Sequence, residues 1–112
     1  MTIQWIGAHT NNFEKGRRGT KIDTIVLHWI VGSLASAGAT FNNPTQGASA
    51  HYGIGGQKEV HQYVRDDDTA YHAGNFSMNL RSLGIEHEGG PTTPIAEDTY
   101  KLSIELVKKL VK

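Results

Sequence analysis

The chain has 112 residues, 38% of them apolar and 20% charged, which excludes a disordered polymer and bounds the chain to one domain. Eleven basic residues balance eleven acidic ones, so the surplus of Lys and Arg that phosphate binding needs is absent and nucleic acid is not the expected partner. The absence of cysteine excludes disulfides, thiolate zinc fingers and a cysteine nucleophile, and no apolar run approaches the roughly 18–20 residues of a membrane span.

Residues 1–22 are polar and turn-rich, and read as an irregular N-terminal arm ahead of a single domain over 23–112. Met1 to Gly7 lacks a basic start and a long apolar stretch, so synthesis in the cytoplasm without a signal peptide is expected. Lys15, Arg17, Arg18 and Lys21 read as a solvated basic face. Thr24 to Val31 is β-branched and apolar on both faces, the pattern of a central strand. Ser33 is placed to cap a short helix from Leu34 to Phe41, closed by Asn42-Asn43-Pro44.

Ala48 to Ile54 and Glu59 to Val64 read as two strands of a hairpin around the turn Gly55 to Lys58. Arg65 to Asp68 is a charged turn without the spacing of a calcium loop. Thr69 to Gly74 reads as a short strand entering a loop, and Asn75 to Asn79 as a polar loop. Arg81 to Glu88 alternates and predicts a fourth strand. Thr93 and Pro94 are placed as N-cap and first residue of a last helix, with Glu97 and Asp98 at its positive end and Lys108, Lys109 and Lys112 at its negative end. Tyr100, Ile104, Val107 and Val111 mark its predicted apolar stripe.

Six histidines are available for chemistry: His9, His28, His51, His61, His72 and His87. Histidine is the commonest neutral metal ligand and the usual base near pH 7. Strand alternation sets Glu86 and His87 on opposite faces, and sets His51 opposite Ala50. A His on one strand and a Glu on another suit a metal site with a carboxylate base, because zinc accepts both donor types and acidifies its water. The helical H-E-x-x-H pattern, the G-x-S-x-G elbow and the phosphate loops are absent. Spacing alone stops at a His/Glu site on a mixed sheet.

Three segments in order carry a resemblance. They are Ile25 to Trp29, then Ser49 to Gly55 with Val60 to Val64, then Ala70 to Gly74 with Ser82 to Glu86. Together they resemble the N-acetylmuramoyl-L-alanine amidases of the peptidoglycan-recognition-protein fold, the type 2 amidases, which include phage endolysins. The resemblance spans about residues 20–112.

The resemblance implies an α/β fold, a mixed β-sheet with flanking helices. It implies zinc as cofactor, and hydrolysis of the amide between the lactyl group of N-acetylmuramic acid and L-alanine in peptidoglycan. His28 matches the first zinc ligand of the family. Glu86 matches the acid that activates the zinc-bound water in members carrying this Ser-Leu-Gly-Ile-Glu pattern; other members use a Tyr at the position of Ala50. Tyr71, His72, Ala73 and Gly74 match the segment beside the substrate groove, and Trp29 is a candidate groove wall. The family's other two zinc ligands lie downstream of the last helix, so the chain resembles a C-terminally incomplete amidase domain. Two other classes compete: a peptidoglycan-binding module without catalysis, and a structural or assembly role in which a face left open is covered by a second copy or a partner chain. The implied place of action is the bacterial cell wall.

Overall fold

The computed structural model describes residues 1–90 and 94–112. In chain order the elements are β1 (Ile3–Trp5), a 3-10 turn (Thr10–Asn12), β2 (Phe13–Glu14), β3 (Thr24–Ile30), α1 (Leu34–Phe41), β4 (Tyr52–Ile54), β5 (Val60–Gln62), β6 (Thr69–Ala70), α2 (Phe76–Arg81), β7 (Ser82–Glu88) and α3 (Glu97–Leu110). The main sheet runs β1-β5-β4-β7-β3, and β2 pairs with β6 apart from it. The β4–β5 hairpin is antiparallel, while β1 lies parallel to β5 and β7 lies parallel to both β4 and β3. Among the described residues no helix is long and apolar enough to cross a membrane.

The strand expected at the centre is an edge strand among the described residues. β3 pairs on one side only, and Leu27, Trp29 and Val31 are 58%, 55% and 92% exposed. β7, with its more polar sequence, lies inside the sheet, paired on both sides by β4 and β3. Most of its polar groups are matched: Ser82 Oγ donates to the Met78 carbonyl, and His87 bonds the His28 carbonyl and Ser103. An apolar run signals a demand for burial, but not which strands meet it.

Helices cover both faces. On one, Leu34, Ala37 and Phe41 of α1 pack with Ile30, Ala50, Tyr63 and Val64. The predicted Ser33 cap is present, its side chain accepting from the Ser36 N–H. The Glu88 carboxylate accepts the Leu34 N–H as well, setting a negative charge at the positive helix end, and its other oxygen accepts the Gly56 N–H at 2.8 Å.

On the other face, α3 buries Leu106 with Leu102, Val107 and Leu110 against Ile25, Tyr52, Ile54, Val60 and Ile85. The predicted stripe is therefore corrected: Val107 packs inward, but Tyr100, Ile104 and Val111 are exposed. Thr99 and Ser103 are buried instead, because Thr99 Oγ1 donates to the Gly55 carbonyl and Ser103 Oγ bonds His87 Nε2. Satisfied hydroxyls cost little to bury, so the helix settles on its leucines. Its N-cap is Ala96, without a side-chain bond; Pro94 precedes the helix, and Thr93 lies outside the described residues.

Residues 1–22 are also more than an arm. β1 joins the main sheet, and Asn12 is buried, donating to the Phe41 and Asn43 carbonyls. The basic cluster divides. Arg18 is paired with Glu14 at the surface, whereas Arg17 is buried and donates to the carbonyls of Asp66, Leu80 and Ser82. Asn75 to Asn79, expected as loop, forms most of α2, with Asn75 capping it through the Met78 N–H. In the acidic turn, Asp66 accepts from the Tyr52 hydroxyl and Asp68 from the Gly16 N–H.

Candidate functional site

Parallel register sets His28 of β3 beside Glu86 of β7, and Glu86 beside Gly53 of β4. In a pleated sheet such neighbours share a face, here the α1 face. The same face of β7 carries Ser82, Gly84 and Glu88. Gly84 is bare where the His72 ring lies: a Cβ there would stand 2.6 Å from His72 Cγ. Gly53 is bare for the same kind of reason, since a Cβ would stand 2.7 Å from Leu34 Cδ1 and 2.8 Å from the Tyr63 hydroxyl.

Glu86 is partly buried and makes no hydrogen bond or ion pair with the described residues. Burial alone pushes its carboxyl up to about 7. Its proton is therefore exchangeable near neutral pH, as a group that both takes and returns protons requires.

Three imidazoles cluster with one another, one of them on the strand next to Glu86. His28 Nε2 lies 2.9 Å from His72 Nδ1, and His72 Nε2 lies 3.0 Å from Ser82 Oγ. His51 is fully buried with its ring centroid 6.1 Å from that of His72. Its Nδ1 accepts the Gly84 N–H, and its Nε2 lies 2.9 Å from the Asp68 carbonyl and 3.0 Å from Arg17 Nη2. Burial, aided by the neighbouring Arg17 charge, lowers His51 to about 3. Burial, with the His28 and Arg17 charges, lowers His72 to about 4, and burial also lowers His28. Burial thus disfavours the charged form of all three rings.

His87 faces the α3 layer, as alternation predicts, and is held there by Ser103 and the His28 carbonyl. His51 departs from the expectation. It does not turn away from the site but lies beneath His72, because it precedes β4, where regular alternation has not begun.

The sequence-selected residues fall into three places. Tyr71, His72 and Gly74 line a cleft of about 570 Å³ together with Glu14, Arg18 and Phe76. Ala73 gives its N–H to Asn79 Oδ1, which also takes the His72 N–H and so fixes this segment. Glu86 opens on a smaller depression of about 210 Å³ beside α1. Trp29, one residue along β3 from His28, also lines a cleft of about 540 Å³ together with His28 itself, Leu27, His87 and Tyr100. The structure thus joins His28 to His72 and sets Glu86 level with His28 on the next strand, but the three line different depressions, and Trp29 stands apart from the Tyr71–Gly74 cleft. Ser82, Asn79, Arg17 and Glu88 were not singled out by sequence. Ser82 and Glu88 share a face of β7 with Glu86, and that alternation was the available signal.

A catalytic zinc takes three protein donors and a water. No group of three His, Cys, Asp or Glu that could hold a metal occurs among the described residues. Both nitrogens of His72 are engaged, which leaves His28 Nδ1 as the imidazole nitrogen of this pair without a hydrogen-bond partner among the described residues. These residues by themselves do not fit a three-donor zinc site.

A mixed sheet between helices, with a His and a Glu abreast on neighbouring parallel strands, defines an α/β domain. Comparison narrows the class. The family model described as N-acetylmuramoyl-L-alanine amidase matches residues 18–112, and the chain belongs to that family. It is 34% identical over 86 residues to N-acetylmuramoyl-L-alanine amidase A of Achromobacter lyticus, a match covering 76% of this chain and 46% of that protein. The chain thus spans about half the length of this curated relative. Among solved structures, the selenomethionine derivative of AmpD superposes with a TM-score of 0.84 at 22% identity, over 97% of this chain and 73% of the other. A mutant endolysin from Bacillus subtilis gives 0.77 at 23% identity, over 98% and 75%. A complex of the amidase AmiD from E. coli with a muropeptide substrate gives 0.70 at 22% identity, over 87% and 44%. The likeness to these structures is one of fold.

Proposed function

We propose that the chain serves a peptidoglycan amidase that hydrolyses the amide between the lactyl group of N-acetylmuramic acid and L-alanine, with Glu86 handling the proton. The observation that carries this reading is Glu86 itself, an unpaired carboxyl held near 7 by burial and set beside His28. Amide hydrolysis needs a group that takes a proton from the attacking water and returns one to the leaving amine. A carboxyl with that affinity does both at neutral pH. The cleft of Tyr71, His72 and Gly74 is the proposed seat of the muropeptide, fixed by the Asn79 contacts to His72 and Ala73. The substrate puts the site of action at the bacterial cell wall, in an endolysin or wall-lytic role.

Zinc is the finer part of the proposal. His28 offers one donor, and donors beyond the described set are required to complete a site. Zinc dependence is tested by metal content per chain after chelation and zinc addition, in wild type and His28→Ala. The activity test uses purified peptidoglycan and follows release of L-alanine amino termini. Glu86→Gln is expected to lower turnover at least about 100-fold while the chain still binds the wall. Unchanged turnover removes Glu86 from the mechanism.

The incomplete donor set favours a second reading, a peptidoglycan-binding module without catalysis, which predicts wall binding with no amine release. Self-association is a further part of the proposal. Leu27 and Trp29 of β3, and Val31 just after it, are exposed beside a strand edge that is unpaired among the described residues, a surface that invites a partner strand. Sedimentation mass that stays monomeric at every concentration removes that part.

A further inference from the structure

Counting protons along one hydrogen-bonded chain determines which nitrogen of His28 stays open. Ser82 Oγ lies 2.6 Å from the Met78 carbonyl oxygen, which only accepts, so the single hydroxyl proton is used there. Ser82 Oγ also lies 3.0 Å from His72 Nε2. With its proton spent, the hydroxyl accepts, and His72 carries its proton on Nε2. A neutral imidazole has one N–H, so His72 Nδ1 holds a lone pair. His28 Nε2, 2.9 Å away, must then donate to it. His28 Nδ1 retains its lone pair, and no hydrogen bond from the described residues reaches it.

We infer that Ser82 and His72 are positioning residues that lock His28 in its Nε2–H tautomer and so present Nδ1 as the electron-pair donor of the site. The surroundings are built for that task. Gly84 leaves the space the His72 ring fills, since a Cβ would stand within 2.8 Å of three ring atoms. Asn79 Oδ1 takes the backbone N–H groups of His72 and Ala73, fixing where the ring starts. The two rings stand nearly perpendicular, centroids 5.1 Å apart at 79°, with His28 Nε2 and His72 Nδ1 at hydrogen-bond distance, 2.9 Å. Ser82 is fully buried, and water does not compete for its hydroxyl. A histidine that donates one ring N–H to a fixed acceptor is held for ligation or proton transfer at the other nitrogen. Open imidazole nitrogens favour an electrophile, a divalent cation or a proton, over an anion. The inference rests on the amidase reading for the purpose of Nδ1, but its test does not depend on activity.

The experiment is a long-range proton–nitrogen correlation spectrum of the full chain labelled with 15N-histidine, in chelator and at one fixed pH near neutrality. Wild type is expected to show His28 and His72 each as one neutral tautomer protonated on Nε2. His28 protonated on Nδ1 overturns the inference. In Ser82→Ala the acceptor for His72 Nε2–H is gone, and both rings are expected to become tautomer mixtures while the His87 pattern is unchanged. Ser82→Thr keeps the hydroxyl and is expected to restore the single tautomers. A His28 signal that remains one Nε2–H species in Ser82→Ala shows that Ser82 does not control it and also overturns the inference. Absence of amidase activity with the expected tautomers removes the functional reading alone; the opposite tautomer with activity present removes this inference alone.

Discussion

Gly84→Ala tests the site's architecture most sharply. The added methyl would stand 2.6, 2.7 and 2.8 Å from three atoms of the His72 ring, well inside contact distance. The ring cannot yield freely, because its two nitrogens bond His28 and Ser82 at 2.9 and 3.0 Å. Overpacking a tight interior costs about 1–3 kcal/mol, and each hydrogen bond lost adds about 1 kcal/mol. A destabilisation of about 3 kcal/mol follows, worth about 12 °C in Tm for a chain of this size. Urea unfolding and thermal melts followed by circular dichroism measure it. The decisive comparison is the same substitution in a His72→Ala background. With the ring gone the methyl has room, and Gly84→Ala should cost less than about 1 kcal/mol, a coupling of about 2 kcal/mol. Equal costs in both backgrounds would refute the claim that Gly84 exists to seat His72.

Acid stability has a worked sign. His51 and His72 stay neutral in the folded chain down to about 3 and about 4, whereas the unfolded chain binds their protons below about 6.5, so stability falls as pH drops through that interval. Glu86 acts oppositely: the folded state keeps its proton up to about 7 and the unfolded chain releases it near 4.5, so its contribution is lost as pH rises between those values. Glu86→Gln should therefore be more stable than wild type near about pH 8 and lose that advantage near about pH 4, with a steeper acid decline between; urea midpoints across pH that run parallel to wild type would contradict this. Tyr63→Phe should be neutral or stabilising by about 1 kcal/mol, because the buried Tyr63 hydroxyl has no hydrogen-bond partner among the described residues. A loss above about 1 kcal/mol in the same assay would reveal a bond that the geometry lacks. Arg17→Lys should cost about 3 kcal/mol, since one ammonium cannot replace donors to the Asp66, Leu80 and Ser82 carbonyls at 2.8, 2.8 and 3.0 Å; a cost below about 1 kcal/mol would show that these carbonyls find other donors.

What the sequence determined by itself is what short range governs. The Ser33 cap, α1, the β4–β5 hairpin and the alternation of β7 follow from patterns two to four residues long, and each is present. The same alternation aligned Glu86 against His87, and the ordered segments around His28, His72 and Glu86 carried the family, which the match over residues 18–112 bears out. Only tertiary structure decided where an element sits and whether a polar group finds a partner. Thr24–Ile30 reads as central yet lies at an edge, because hydrophobicity states a demand for burial and not the strand that meets it. Arg17 reads as solvated yet is buried, because its acceptors lie 49 to 65 residues away. α3 turns on its leucines because Thr99 and Ser103 find partners 44 and 16 residues away. The His28–His72 bond, closed across 44 residues, is of the same kind. Periodicity records which side chains are apolar, but a hydrogen-bond partner distant in sequence is chosen only when the chain has folded.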